Sequence, residues 1–154
     1  MPEVKRLSEK KLVGFRVLCP GDQYIVEIPK ASKLLSERTG EIANTVNPGF
    51  QYGAFVVEHR ANEEDGYWVC VEVSEIEEIP EGMVGLTIPG QMYAIFRHKG
   101  TNNGIREAYT ELHQWIEMNG YRRTPEKWHL EAFYKWSDPD NLDVELMDTV
   151  AFEV

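Results

Sequence analysis

Trp128-His129-Leu130-Glu131-Ala132-Phe133-Tyr134 is the stretch on which the reading of this 154-residue chain turns. Its aromatic and apolar residues predict a strand that runs on to Trp136. In a strand, alternate side chains share a face. Glu131 is therefore grouped with His129 and Phe133, and Trp128, Leu130, Ala132, Tyr134 and Trp136 form the other face. The second set is the more apolar and is expected to pack against helices. Two readings of Glu131 follow. It can lie on the solvated face of a half-buried strand, or it can line a cleft, where loss of water raises a carboxyl pKa unless a cation pairs with it. Alternation alone leaves both open.

Working outward, Asn103 to Asn119 predicts the strongest helix, because Ile105, Ala108, Tyr109, Leu112, Trp115 and Ile116 recur at helical spacing. Gly120 stands where a helix-ending glycine belongs. Gln91 to His98 predicts a strand before this helix, and Asp143 to Val154 a closing strand after the Ser137–Asn141 turn. The first half has the same order. Lys11 to Cys19 predicts a strand, with Gln23 to Ile28 a short extended piece. A helix is expected from about Pro29 or Ala31, with Ala31, Leu34, Leu35 and Ile42 on one face. Strands follow at Phe50 to His59 and Tyr67 to Val73.

The order strand, helix, strand, strand thus occurs twice. Leu12 and Met92 are 80 positions apart, Gln51 and His129 78, and Tyr67 and Val144 77. A nearly constant offset points to internal duplication. The expected fold is α+β: a tandem pseudo-two-fold repeat of β-α-β-β units forming a mainly antiparallel sheet of about eight strands with two principal helices. Residues 1–154 are expected to form one domain, with repeat one at about 11–74, a linker at about 75–90 and repeat two at about 91–154. A cleft where the repeats meet is the natural ligand site.

Composition narrows the function. The net charge is −10, which disfavours contact with phosphate backbones, and no helix-turn-helix pattern precedes the first strand. No direct nucleic-acid binding is expected. No apolar run approaches the roughly 18 residues of a membrane helix, and the N-terminus lacks a signal-peptide pattern. No membrane partner and a cytoplasmic location are expected. Cys19 and Cys70 read as small buried hydrophobes in a reducing compartment. His59, His98, His113 and His129 show no metal-ligand spacing. The Gly100–Gly104 loop lacks the ending of a phosphate-binding loop. Neither a metal nor a cofactor is expected. Tyr52 and Tyr67 are the preferred pocket aromatics, because a buried tyrosine must place its hydroxyl on a partner. Tyr109 and Trp115 read as helix core.

Several short motifs resemble the gyrase-inhibitor-like (GyrI-like) family, which includes the effector-binding domains of AraC-type and MerR-type multidrug regulators. They are Gln51-Tyr-Gly53, Tyr67-Trp-Val-Cys-Val-Glu-Val73, Ile79-Pro-Glu-Gly-Met83, Tyr93-Ala-Ile-Phe-Arg-His-Lys-Gly100, Asn119-Gly-Tyr121 and Leu130-Glu-Ala-Phe133. The resemblance implies a duplicated fold with a groove between repeats that binds hydrophobic, cationic or aromatic small molecules. It places a carboxylate at Glu131 among aromatics, onto which Tyr52, Tyr67 and Trp68 carry over; Phe133 and Tyr93, from the aromatics spread over both halves, complete the expected ligand-binding residues. It also implies two alternatives. One is a hydrolase of reactive cyclopropane-containing xenobiotics with Glu131 as catalytic general base. The other is a gyrase-interacting inhibitor, with DNA gyrase or a second copy of the chain as partner.

Overall fold

The structure is a computed structural model that describes residues 1–152. Among these residues ten strands and two α-helices follow one another along the chain. The first unit contains β1 (Glu3–Leu7), β2 (Lys10–Val17), α1 (Tyr24–Arg38), β3 (Thr45–Val46), β4 (Gln51–Val56) and β5 (Tyr67–Val73). Then come β6 (Val84–Ile88), β7 (Gln91–Gly100), α2 (Gly104–Met118), β8 (Tyr121–Arg123), β9 (Trp128–Lys135) and β10 (Leu142–Phe152). The principal sheet order is β1-β7-β10-β9-β4-β5-β2-β6, with β3 and β8 as short additions. Neighbouring strands are antiparallel.

The order β7-β10-β9 mirrors β2-β5-β4, so the units meet at β9 and β4. There Gln51 pairs with Phe133, Gly53 with Glu131, and Phe55 with His129. The 78-residue offset turns this register onto itself: Gln51 corresponds to His129, Phe55 to Phe133, and Gly53 to Glu131. The pseudo-two-fold axis therefore passes through the Gly53–Glu131 pair.

The sheet is curled. β6 and β7 lie six strand positions apart, about 29 Å in a flat sheet. Only Pro89 and Gly90 link them, and three Cα steps span at most about 11 Å. The ends must come together. Accordingly Leu12 of β2, Ile88 of β6, Tyr93 and Ile95 of β7 and Met147 of β10 share one core on the inner face. Both helices cover the outer face. β5 shows how alternation builds the two layers: Val69, Val71 and Val73 pack beneath α1, while Trp68 and Cys70 face the inner core. Ala108, Leu112 and Ile116 seat α2 on Ala94, Val144, Leu146 and Val150. Gly120 ends α2 with a φ of 77°, a conformation glycine adopts without a Cβ penalty.

Several expectations are corrected. α1 starts at Tyr24 rather than near Pro29, after a 3-10 turn at Gly21–Gln23, so Gln23 to Ile28 is not extended. Pro29 lies early enough in the helix that it forfeits a single hydrogen bond close to the end. With Tyr24, Ile28, Ala31 and Leu35 on the sheet, Leu34 is turned away and is 43% exposed. Ile42 lies beyond the helix, yet is buried. The segment 75–90 carries β6, so its second half belongs to the sheet. Its Val84-Gly-Leu-Thr-Ile88 alternation is masked by Gly85, whose missing side chain leaves room for Ile76 and Ile79. β1 was not anticipated. The closing strand ends at Phe152 among the described residues, and the last two positions expected in it lie outside them. Among the described residues, no helix is long and apolar enough to cross a membrane.

Candidate functional site

α1 lies over β2 and β5, and α2 over β7 and β10. Between them, the outer face of the central pair β4–β9 is the floor of a cavity of about 530 Å³. Gln51, Gly53, Val69 and Phe133 form its base, with Tyr67 standing over Gly53. α1 supplies Ile28, Pro29, Ser32 and Lys33 on one side. The β9–β10 connection supplies Trp136, Ser137 and Pro139 on the other, with Leu142 and Asn102 beside them. The indole N–H of Trp136 reaches the Gly49 carbonyl at 3.4 Å, which ties this rim to the loop before β4. Most of the lining is apolar. Gln51 gives its amide nitrogen to the Ser32 carbonyl at 2.9 Å, which fastens α1 to the floor.

Glu131 lies behind Tyr67, only 8% exposed. The Tyr67 hydroxyl donates to its Oε1 at 2.5 Å and the Tyr109 hydroxyl to its Oε2 at 2.6 Å. The two tyrosines come from opposite halves of the chain. Tyr67 reaches Glu131 because Gly53 is empty: a Cβ there would stand 1.7 Å from the Tyr67 hydroxyl oxygen. The repeat is thus asymmetric at its own axis, with a carboxylate on one side and, on the other, a vacant position filled by a ring from β5.

Burial pushes the Glu131 pKa up. The hydroxyls of Tyr109 and Tyr67 and the nearby His129 pull the other way without cancelling the rise. Burial, followed by the charge of Glu131, holds the Tyr67 and Tyr109 hydroxyls well above their ordinary value, so both remain donors. The result is a carboxyl group that accepts from two neutral phenols in a dry setting. Such a group carries charge poorly by itself and gains from a cation placed nearby.

The residues named from the sequence separate into two sets. Glu131, Tyr67 and Phe133 meet on the outer face. Tyr52 borders the cavity, but its ring belongs to the inner-face cluster, with the Lys10 ammonium 5.4 Å from its centroid. Burial, then Glu72 and Glu145, push its hydroxyl up to about 12. Trp68 and Tyr93 are corrected as wall residues. Trp68 packs edge-on against Trp128 at 5.1 Å in the inner core. Tyr93 is buried there too and accepts a hydrogen bond from Gln91 at 2.7 Å. The reason is strand geometry: neighbours such as Tyr67 and Trp68 point to opposite faces. The expectation that the Trp128–Trp136 face meets the helices is likewise reversed, since Leu130 and Ala132 face the self-closed inner core.

Tyr109, Gln51 and Trp136 were not anticipated at the site. Tyr109 lies in the apolar stripe of α2 and cannot be told from core by spacing. Gln51 carries a detectable signal, an amide in a strand that needs a partner once buried. Cys19 and Cys70 are free thiols, Cys70 buried and Cys19 partly so.

Comparison with known proteins gives a consistent picture. The model of the GyrI-like small molecule binding domain matches residues 1–147. The transcriptional regulator BrlR of Pseudomonas aeruginosa is 38% identical over 79 residues, which are 51% of this chain and 28% of that regulator. The match thus takes in little more than a quarter of the curated relative's length. The crystal structure of the EcmrR C-terminal domain superimposes with a TM-score of 0.70 at 21% identity, covering 100% of this chain and 98% of that one. SAV2435 bound to tetraphenylphosphonium gives a TM-score of 0.68 at 13% identity, covering 98% and 94%. At these identities the two structures show a shared fold.

Proposed function

Because the chain belongs to the GyrI-like small-molecule-binding domain family, we propose that it binds apolar aromatic molecules carrying a positive charge in the cavity between α1 and the β9–β10 connection. The observation that carries this reading is the buried Glu131 carboxylate, bonded to tyrosines from both halves and placed directly behind the Tyr67 wall. The apolar lining supplies affinity through burial, and Phe133 and Tyr67 offer ring faces to a cation. Glu131 supplies charge selectivity across the Tyr67 hydroxyl. A hydrogen-bonding ammonium in the cavity meets the Tyr67 wall rather than the carboxylate, which is outside the lining. A diffuse cation needs only proximity, which this arrangement provides.

Sequestration is favoured over hydrolysis by the same geometry. A general base must hold the water it activates, and here each carboxylate oxygen accepts a tyrosine hydroxyl behind the cavity wall. The test is a thermal-shift and dye-binding panel of lipophilic cations, tetraphenylphosphonium included, with turnover followed in parallel. Saturation at 100 times the Kd is expected to stabilise the fold by about 2.7 kcal/mol. Product in excess of protein would assign hydrolysis instead, and no stabilisation by any member would remove the binding role.

A further inference from the structure

A second buried acid lies next to the site. Asp148 of β10 is 1% exposed. It lies among His113 of α2, His129 of β9 and Arg123 of β8. His113 Nε2 is 2.8 Å from Oδ2, His129 Nδ1 is 2.9 Å from Oδ1, and Arg123 Nε donates to Oδ2 at 2.9 Å. Neither histidine contact is an aligned hydrogen bond: His113 Nε2, Asp148 Oδ1 and the buried Nε2 of His129 have no hydrogen-bond partner among the described residues. The Thr149 amide, next along β10, donates to His129 Nδ1 at 3.1 Å. Burial alone would raise Asp148, but its histidine partners and the Arg123 charge outweigh that, and it is held below the usual carboxylate range.

Two of these partners are tied to the site by secondary structure. His113 is one helical turn from Tyr109, with ring centroids 5.8 Å apart. His129 is two residues before Glu131 on the same strand face. One carboxylate therefore lies within ion-pair distance of α2 beside Tyr109 and of β9 beside Glu131. We propose that Asp148 is a positioning residue for the binding site: by holding His113 and His129 it fixes the Tyr109 hydroxyl on Glu131 and keeps that carboxylate ionised for a cationic ligand. The functional part of this rests on the binding reading above. The structural part does not, and the titratable and charged groups involved are Tyr67, Tyr109 and His129 around Glu131, and His113, His129 and Arg123 around Asp148.

The sign of one measurement decides the matter. Removing a nearby negative charge favours ionisation of Glu131 and lowers its titration midpoint. Loosening Tyr109 removes a donor and raises it. The midpoint can be followed in ligand-free protein by the infrared band of the protonated carboxyl, assigned by its loss in Glu131→Gln. Tyr109→Phe is expected to raise the midpoint by about one pH unit or more, the worth of one hydrogen bond to a carboxylate, and Asp148→Asn is expected to raise it in the same direction by no more than that. Because they act through one contact, the double variant should shift no further than the larger single shift. His113→Gln, at a half-exposed position, removes one arm without touching the buried acid. It should shift the band the same way and serves where Asp148→Asn does not fold. Asp148→Glu should restore part of the shift. A lowered or unchanged midpoint in His113→Gln, or in a folded Asp148→Asn, overturns the proposal, as does a double shift equal to the sum of the single shifts. Failure of the protein to bind any cation would overturn the binding reading while leaving this result standing.

Discussion

Replacing Glu131 with glutamine should cost affinity for cations and leave neutral ligands of the same shape unaffected. The magnitude follows from the geometry. Tyr67 separates the cavity from the carboxylate, with its hydroxyl 2.5 Å from Oε1. A cation in contact with that hydroxyl at about 4 Å stands about 7 Å from the charge. With an effective dielectric of about 20, the attraction is about 2.4 kcal/mol, or roughly 50-fold in Kd. The assay is fluorescence titration with two matched dyes at mildly alkaline pH: 10-methylacridinium, a permanent cation, and acridine, neutral under those conditions. Glu131→Gln is expected to weaken methylacridinium by that order and to change acridine by less than about twofold. Equal binding of methylacridinium by both proteins would refute the anchoring role. An equal loss for both dyes would show that Glu131 acts through the shape of the cavity rather than through its charge.

Other outcomes follow from the same contacts. The raised pKa of Glu131 means that the folded state keeps its proton to a higher pH than the unfolded chain. Stability from this group should therefore fall as pH rises from its ordinary value of 4.5 through the folded value, and chemical denaturation of Glu131→Gln should lack that slope. Asp148 has the opposite sign: its contribution is present above the ordinary value of 3.8 and is lost as pH falls, a dependence Asp148→Asn should abolish. Gly53→Ala would place its methyl group on the Tyr67 hydroxyl, so a loss of about 1–3 kcal/mol in urea denaturation and a weakened preference for methylacridinium over acridine are expected. Trp136→Ala, at the rim, should lower affinity for both dyes while shifting the midpoint of thermal unfolding little. Leu35→Ala, at a fully buried position on the sheet-facing side of α1, should cost about 2–5 kcal/mol of stability.

Much of the fold was legible because local signals agreed with one another. The Tyr67–Val73 strand was read with the bounds it has in the structure, and Asn103 to Asn119 brackets α2 within a residue at each end. Their periodicities are strong and their ends carry turn or capping residues. The start of α1 is hidden from the sequence because Pro29, which usually marks a boundary, is tolerated here inside the first turns. β6 is hidden from the sequence because Gly85 interrupts its apolar pattern.

The site was legible only in part. Sequence alone determined the repeat, the pairing of types strand, helix, strand, strand, and the presence of one carboxylate among aromatics on a strand, since these depend on residue order and on alternation along one element. Only the tertiary structure decided which face of that strand borders the cavity. The curled sheet closes its inner face around Leu130 and Ala132, leaving Glu131 on the face that the helices only partly cover. It also decided the partners: Tyr67 lies 64 positions and Tyr109 22 positions from Glu131, and only the folded register sets both hydroxyls on one carboxylate. Side-chain contacts between distant elements follow from closure of the whole sheet, which is a property of all the strands together and of no single stretch.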